Sequence, residues 1–197
     1  MEIEASPVTP RLLFDLVGSE REDPLASPGT VSRWARDAGF GAQAPEALSL
    51  QMSELRRLRD AVESLLEAAA TGVGSPAGSM AALNEIGASV PVVLELTDTA
   101  GAVVAVERPL SSGRPGAGVV AAFAREAIRL LGGPDRDRLR RCPAARCGRF
   151  FLAERGPQVW CSVACGNRTR VARHHARRRA AARAAGDRHD GPVRDPA

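Results

Sequence analysis

The chain has 197 residues, enough for one medium-sized domain and a small additional module, and its 44% hydrophobic content allows a real core. No stretch approaches the roughly 20 apolar residues of a membrane helix, and the first residues lack the basic and apolar regions of a secretory signal, so we expect a cytoplasmic protein. The net charge of +4 is divided unevenly: residues 1–134 carry 11 Arg and 17 acidic residues, whereas residues 135–197 carry 16 Arg and 6 acidic residues. An acidic body with a basic end indicates a polyanion-binding segment.

The first 133 residues are predicted to form a helical domain with one β-hairpin. Apolar periodicity predicts helices over about 9–17, 30–39, 45–70, 75–86 and 118–131, with Thr30 as the N-cap of the second helix. The runs 90–96 and 102–110 are rich in β-branched residues and flank turn residues, which predicts the hairpin. Because Gly132-Gly133-Pro134 ends the last helix, we place a domain boundary after residue 133.

All four cysteines of the chain fall in one segment of 24 residues. They are Cys142, Cys147, Cys161 and Cys165, in the pattern C-x4-C-x13-C-x3-C. Two close pairs of thiolates in a reducing compartment are typical of a tetrahedral site for one structural Zn²⁺. Disulfides and a redox or iron–sulfur site are the alternatives.

The segment around the cysteines is predicted to fold as a treble-clef-like zinc finger over residues 134–185. A knuckle holds the first pair, Phe150 and Phe151 begin a strand, and a return strand through Trp160 delivers Cys161. Ser162 then caps a helix that carries Cys165 in its first turn. The three aromatic side chains are expected to form a miniature core. Residues 186–197 lack apolar periodicity and are predicted to be a disordered tail.

The helix after the last cysteine is rich in arginine. Seven Arg and no acidic residue lie between Gly166 and Arg183, and such a helix is unfavourable unless an anion neutralises it. Phosphates do so through bidentate guanidinium contacts. The candidate nucleic-acid contacts are Asn167, Arg168, Arg170, Arg173, His174, Arg177, Arg178 and Arg179. For Asn167, bracing of the zinc knuckle is an equal alternative. Because the helix contains no aromatic residue for base stacking, duplex contacts are favoured over single strands.

These segments also resemble a known family. The run WCSVACGNRTRVARHHARRR (160–179) resembles the bacterial CGNR zinc finger, named for the tetrapeptide found here at 165–168, and RCPAARCGRFFL (141–152) resembles its first knuckle. FDLVGS (14–19) and DPLASPGTVSRWARDAGF (23–40) resemble the ABATE domain that is usually paired with this finger. The resemblance implies zinc binding, DNA binding and stress-induced transcription regulation. The family pattern differs in having one more residue between the last two cysteines, and Asn-Thr in place of Gly18-Ser19.

The combined interpretation is a zinc-dependent DNA-binding transcription regulator whose partner is duplex DNA. An RNA-binding protein, and a protein-interaction module whose basic helix docks an acidic partner, are the alternatives. Four cysteines close a zinc site, and the chain contains no P-loop or G-x-S-x-G signature, so we expect no enzyme and no catalytic residue. A homodimer, and a small-molecule ligand of the N-terminal domain, stay open.

Overall fold

The computed structural model describes residues 8–18, 23–99, 101–111, 113–154 and 156–186. This part of the chain is mostly helical, with two short antiparallel hairpins, which confirms the predicted fold class. The α-helices are α1 Pro10–Val17, α2 Pro28–Asp37, α3 Ala44–Ser49, α4 Met52–Thr71, α5 Ala77–Ala88, α6 Ala117–Gly132 and α7 Val163–Gly186. The strands are β1 Val92–Thr99, β2 Ala102–Pro109, β3 Leu139–Arg141 and β4 Phe150–Leu152, and a 3₁₀ helix spans Pro134–Arg138. Residues 187–197, most of the predicted tail, lie outside the described residues.

The main core lies between α4, α6 and the helices that surround them. Helix α4 turns one apolar stripe inward, as expected for an amphipathic helix, and this stripe consists of Leu55, Leu58, Val62, Leu65 and Leu66. Phe123 of α6 is fully buried, with its ring centroid 5.7 Å from that of Trp34 and 6.0 Å from that of Phe40. No helix of the described ranges is both long and apolar enough to cross a bilayer.

The helix predicted over 45–70 is broken into two. Helix α3 ends at Ser49 and α4 begins at Met52, with Leu50 exposed between them. The buried side chain of Gln51 donates from Nε2 to the Pro115 carbonyl at 2.7 Å. The break thus lies where the segment between α3 and α4 contacts the loop before α6. Apolar periodicity does not indicate such a contact between distant parts of the chain.

Gly116 makes the closest backbone approach at this meeting point. Its φ is +81°, and a Cβ added there would lie 2.5 Å from the Ala47 carbonyl oxygen. We predict that Gly116→Ala lowers the free energy of unfolding by about 2–4 kcal/mol, because it combines left-handed strain with a steric clash. Gly118→Ala is the control, since nothing lies within 4 Å of its added Cβ. Urea unfolding should show no loss for Gly118→Ala, and equal effects of the two changes would contradict the prediction.

Helix α2 begins earlier than predicted. Thr30 is not the N-cap, because the helix starts at Pro28 and Ser27 caps it. The Ser27 hydroxyl accepts from the Thr30 backbone N–H at 3.2 Å, and the Thr30 hydroxyl accepts from the Ser27 N–H at 2.8 Å. This reciprocal capping box, with proline at the first helical position, satisfies two backbone donors at once.

The predicted hairpin is confirmed as β1 and β2. The two strands pair antiparallel along their whole length, from Val92 opposite Pro109 to Thr99 opposite Ala102. Gly101, with φ of +87°, lies in the turn. At the base, Arg125 of α6 donates to Glu107 at 2.9 Å and to the Val90 carbonyl at 3.1 Å.

Candidate functional site: the cysteine cluster and the basic helix

The four cysteine sulfurs converge on one point. All four Sγ atoms lie within 4.8 Å of one another, and the Sγ–Sγ distances are 3.6 Å for Cys147–Cys161 and 3.7 Å for Cys161–Cys165. A zinc ion with four Zn–S bonds of about 2.3 Å requires tetrahedral edges of about 3.8 Å. A disulfide requires a sulfur–sulfur distance of about 2.05 Å, and all four cysteines are free. The donor set therefore fits one structural Zn²⁺.

The first ligand pair is held by the loop between β3 and β4. These strands pair antiparallel with Arg141 opposite Phe150, and the Cys142 N–H donates to the Arg149 carbonyl at 2.8 Å. The Cys147 N–H closes a turn onto the Ala144 carbonyl at 2.9 Å. This knuckle places both thiols on the same side of the loop, facing the second pair.

The hairpin of the finger differs from the prediction. The segment through Trp160 is not a strand, and β4 pairs instead with β3, which precedes the first cysteine. Strand β3 has the sequence Leu-Arg-Arg, in which only Leu139 is buried. Three residues with two arginines give no readable alternation, so the sequence pattern did not reveal this strand.

The second ligand pair lies at the start of α7. As predicted, Ser162 caps the helix: its hydroxyl accepts from the Cys165 N–H at 3.2 Å, and α7 begins at Val163. A side-chain hydrogen bond with Ser162 lowers the pKa of Cys165 to about 7, which favours the thiolate that binds metal. Burial instead raises the pKa of the Cys161 thiol in the absence of metal. The short C-x3-C spacing still brings these two sulfurs together.

Two arginines contact the sulfurs. Arg168 donates from Nη2 to the Cys165 Sγ at 3.1 Å, and Arg149 donates from Nη2 to the Cys161 Sγ at 3.8 Å. Four thiolates around Zn²⁺ carry a net charge of −2, and two nearby guanidinium groups offset it. The sequence analysis did not predict that Arg149 contacts the metal site. The only signal in the sequence is its position, two residues after Cys147.

The finger is packed onto the helical body by β3 and β4. Leu139 and Phe150 belong to the same buried cluster as Leu13 and Leu66, whereas Phe151 packs with the cysteines. The prediction that all three aromatic side chains form one miniature core is therefore wrong, because Phe150 belongs to the main core. Phe150 and Phe151 separate because consecutive residues of a strand point to opposite faces. These contacts therefore join residues on the two sides of the domain boundary that the sequence predicts after residue 133.

This arrangement predicts opposite phenotypes for two neighbouring phenylalanines. Phe150→Ala should lower the free energy of unfolding of the helical body by about 3–5 kcal/mol, because it leaves a cavity in the main core. The matched change Phe151→Ala should instead weaken zinc retention. Urea unfolding followed by far-UV circular dichroism, together with the zinc content after dialysis against a chelator, distinguishes them. If Phe150→Ala lowers the zinc content and leaves the free energy of unfolding unchanged, the assignment of Phe150 to the main core is wrong.

Helix α7 extends outward from the cysteine cluster. Its 24 residues correspond to a length of about 36 Å. From Asn167 to Ala181 every side chain is exposed except that of the half-buried Thr169. The helix is therefore not docked onto the acidic body in the described structure. The candidate residues Asn167, Arg168, Arg170, Arg173, His174, Arg177, Arg178 and Arg179 all lie on this exposed helix.

The beginning of α7 is already organised by side-chain contacts. Arg168 is positioned against Cys165, and the Asn167 carboxamide oxygen accepts from Arg170 at 2.6 Å. Asn167 thus contacts its own helix rather than the knuckle in this structure. Helical periodicity places Arg170, Arg173 and Arg177 on one side and Arg168 and Arg179 on the opposite side.

Two family matches cover most of the chain. Residues 10–134 match the ABATE family, whose description is "Putative stress-induced transcription regulator", and residues 138–178 match the CGNR zinc finger. Both agree with the resemblance found in the sequence. A comparison with curated proteins finds no match.

Proposed function

We propose that this chain, which belongs to the ABATE family and carries a CGNR zinc finger, is a transcription regulator that binds duplex DNA through α7. The observation that carries the proposal is the exposed, acid-free arginine helix that begins at the four-cysteine site. A bound Zn²⁺ would fix the first turn of α7 relative to the knuckle and thereby the direction of the helix.

The dimensions of α7 favour the major groove of B-form DNA. This groove is about 12 Å wide and admits one α-helix. Arginines on opposite sides of α7, such as Arg173 and Arg179, would then face the two phosphate backbones. Because Arg168 already contacts Cys165, we assign it first to the metal centre and expect the arginines from Arg170 onward to supply most phosphate contacts.

The dimensions of the groove disfavour duplex RNA as the partner of α7. The major groove of A-form RNA is deep and too narrow for side chains to read, and proteins that bind single strands use aromatic platforms that α7 lacks. An acidic protein partner would satisfy the charge of α7 as well. RNA and an acidic protein are therefore the two competitors that the experiment below compares with duplex DNA.

The proposed role is regulatory rather than catalytic. Four thiolates would complete the coordination of a zinc ion and leave no open position for substrate or water. We therefore propose no enzymatic activity and no catalytic residue. A reduced cytoplasmic environment would keep the thiols available for zinc. A small-molecule ligand of the helical domain, as in a sensor of stress, stays a prediction.

The proposal is tested by competition. A labelled pool of genomic duplex fragments bound to the zinc-loaded chain is followed by fluorescence anisotropy and challenged with unlabelled duplex DNA, structured RNA or an acidic polypeptide. Preferential displacement by duplex DNA is the expected result. Preferential displacement by RNA or by the polypeptide would overturn the DNA assignment and transfer the function to that partner.

A further inference from the structure

Helix α7 carries a stripe of exposed side chains that are not arginines. Successive residues of an α-helix are turned by about 100° around its axis, so residues separated by three or four positions lie on one face. Steps of four, four and three residues place on one face Val163, Asn167, Val171 and His174. All four side chains are exposed, that of Val163 by 78% and that of Val171 by 55%. We call these four residues the stripe.

Arginines flank the stripe on both sides. On one side, about 60–120° around the helix from Asn167, lie Arg170, Arg173 and Arg177. On the other side, about 100–120° from Asn167, lie Arg168 and Arg179. Arg178 continues the stripe at its outer end. Because phosphates border the major groove and base edges form its floor, a helix whose flanks contact both backbones turns its stripe toward the bases.

The carboxamide of Asn167 is oriented by a contact within the helix. Its oxygen accepts from Arg170 Nη2 at 2.6 Å, which leaves its NH₂ group as a hydrogen-bond donor. Guanine, adenine and thymine all present acceptors in the major groove, whereas the N4 group of cytosine is a donor. Asn167 follows the ligand Cys165 by two residues, so the metal centre fixes the part of α7 that carries this donor.

The two valines of the stripe offer an apolar contact. The apolar group that a base presents in the major groove is the 5-methyl group of thymine. Val163 is the first residue of α7 and lies between the ligands Cys161 and Cys165, so its position is also fixed by the metal centre. Val163 and Val171 are separated by about 12 Å along the helix, which is the length of three to four base pairs.

We propose that the stripe reads base edges in the major groove, an inference that rests on the proposed function of α7. Val163 and Val171 each pack against a thymine methyl group, and the Asn167 NH₂ group donates to an acceptor on a base pair between them. The target is therefore duplex DNA with two thymines, on either strand, three to four base pairs apart. The stripe is about 17 Å long from Val163 to His174, which corresponds to a site of about five base pairs.

Selection of bound sequences from a randomised duplex library, with the zinc-loaded full chain, tests whether such a site exists. The enriched duplex is then remade with deoxyuridine in place of one thymine at a time, which removes the 5-methyl group and no other atom of the base edge. At two positions, three to four base pairs apart, we expect the affinity to fall about fourfold, as for one buried methyl group. At other thymines the affinity should stay the same.

Valine variants assign each methyl contact to its side chain. Val163→Ala should bind the thymine and deoxyuridine duplexes equally at one of the two positions, and Val171→Ala should do so at the other. Alanine favours helix, so α7 stays intact in both variants. Val73→Ala is the matched control, because Val73 is 65% exposed in the segment after α4, and it should keep both differences.

An aspartate variant tests the donor at the centre of the stripe. Asn167→Asp keeps the acceptor for Arg170 and removes the NH₂ donor. We expect it to lower the discrimination at the base pair between the two thymines about fivefold. Discrimination is the ratio of the affinities for two duplexes, so the general repulsion between the added charge and DNA cancels. Unchanged discrimination in Asn167→Asp would contradict the role of this residue.

The outcomes distinguish this inference from the proposed function. Duplex binding without an enriched sequence would overturn base reading by the stripe and leave duplex binding by α7 intact. A methyl dependence that is the same in Val163→Ala, Val171→Ala and the unaltered chain would do so as well. Absence of duplex binding at low salt would overturn both the proposed function and the inference that rests on it.

Discussion

Replacing Cys161 with serine is expected to abolish stoichiometric zinc binding while most of the helical body stays folded. The change removes one of four converging thiols, and structural zinc sites contribute an apparent binding free energy of about 10–16 kcal/mol. The fixed start of α7 depends on Cys161 and Cys165, whereas β3 and β4 are also held by Leu139 and Phe150 in the main core. The loss of order should therefore be greatest after residue 152.

The measurements are the zinc content after dialysis against a chelator and the far-UV circular dichroism spectrum. Ser162→Ala is the control for a change beside the ligand, because it removes the cap of α7 at a cost of about 1 kcal/mol but no metal ligand. We expect this variant to retain one equivalent of zinc. Full zinc retention and a normal spectrum in Cys161→Ser would refute the four-thiolate site.

Replacing Arg170, Arg173 and Arg177 together with alanine is expected to reduce the affinity for duplex DNA by on the order of 10³-fold. Each contact between an arginine and a phosphate is worth roughly tenfold in binding, and the three residues lie on one side of the exposed helix. The slope of log K against log salt concentration should become shallower by about 2.7 if each arginine neutralises one phosphate. Because alanine favours helix, melting of α7 would not account for the loss.

The control removes the same amount of charge elsewhere. Arg36, Arg114 and Arg136 are exposed residues outside α7, and their joint replacement with alanine lowers the net charge equally. This variant should change both affinity and salt slope only slightly. If the two triple variants lose affinity to the same extent, net charge rather than α7 governs binding, and the assignment of the interface to this helix is wrong.

The features predictable from the sequence are those with local signatures. Two cysteine pairs with short spacings identified the metal cluster, and two β-branched runs around a glycine turn identified the β1–β2 hairpin. Ser162 was predictable as a helix cap because it immediately precedes the helix that carries Cys165. In each case the determining residues are close in the chain, so propensity and spacing carry the information.

The remaining features depend on contacts between distant parts of the chain. The break before α4 accompanies a hydrogen bond from Gln51 to a carbonyl 64 residues away. Phe150 and Phe151 have the same local pattern, and only the position of the finger against α1 and α4 decides which side chain enters the main core. The contact of Arg149 with Cys161 likewise arises only when the knuckle meets the start of α7.

The most direct test of the account is one anisotropy titration of a labelled duplex pool with the full chain at about 50 mM salt, performed with zinc and again after zinc removal. The account predicts saturable binding by the zinc-loaded chain that is lost when the metal is removed, because zinc fixes the start of α7. Absence of binding at this low salt concentration, or equal binding without zinc, would contradict it.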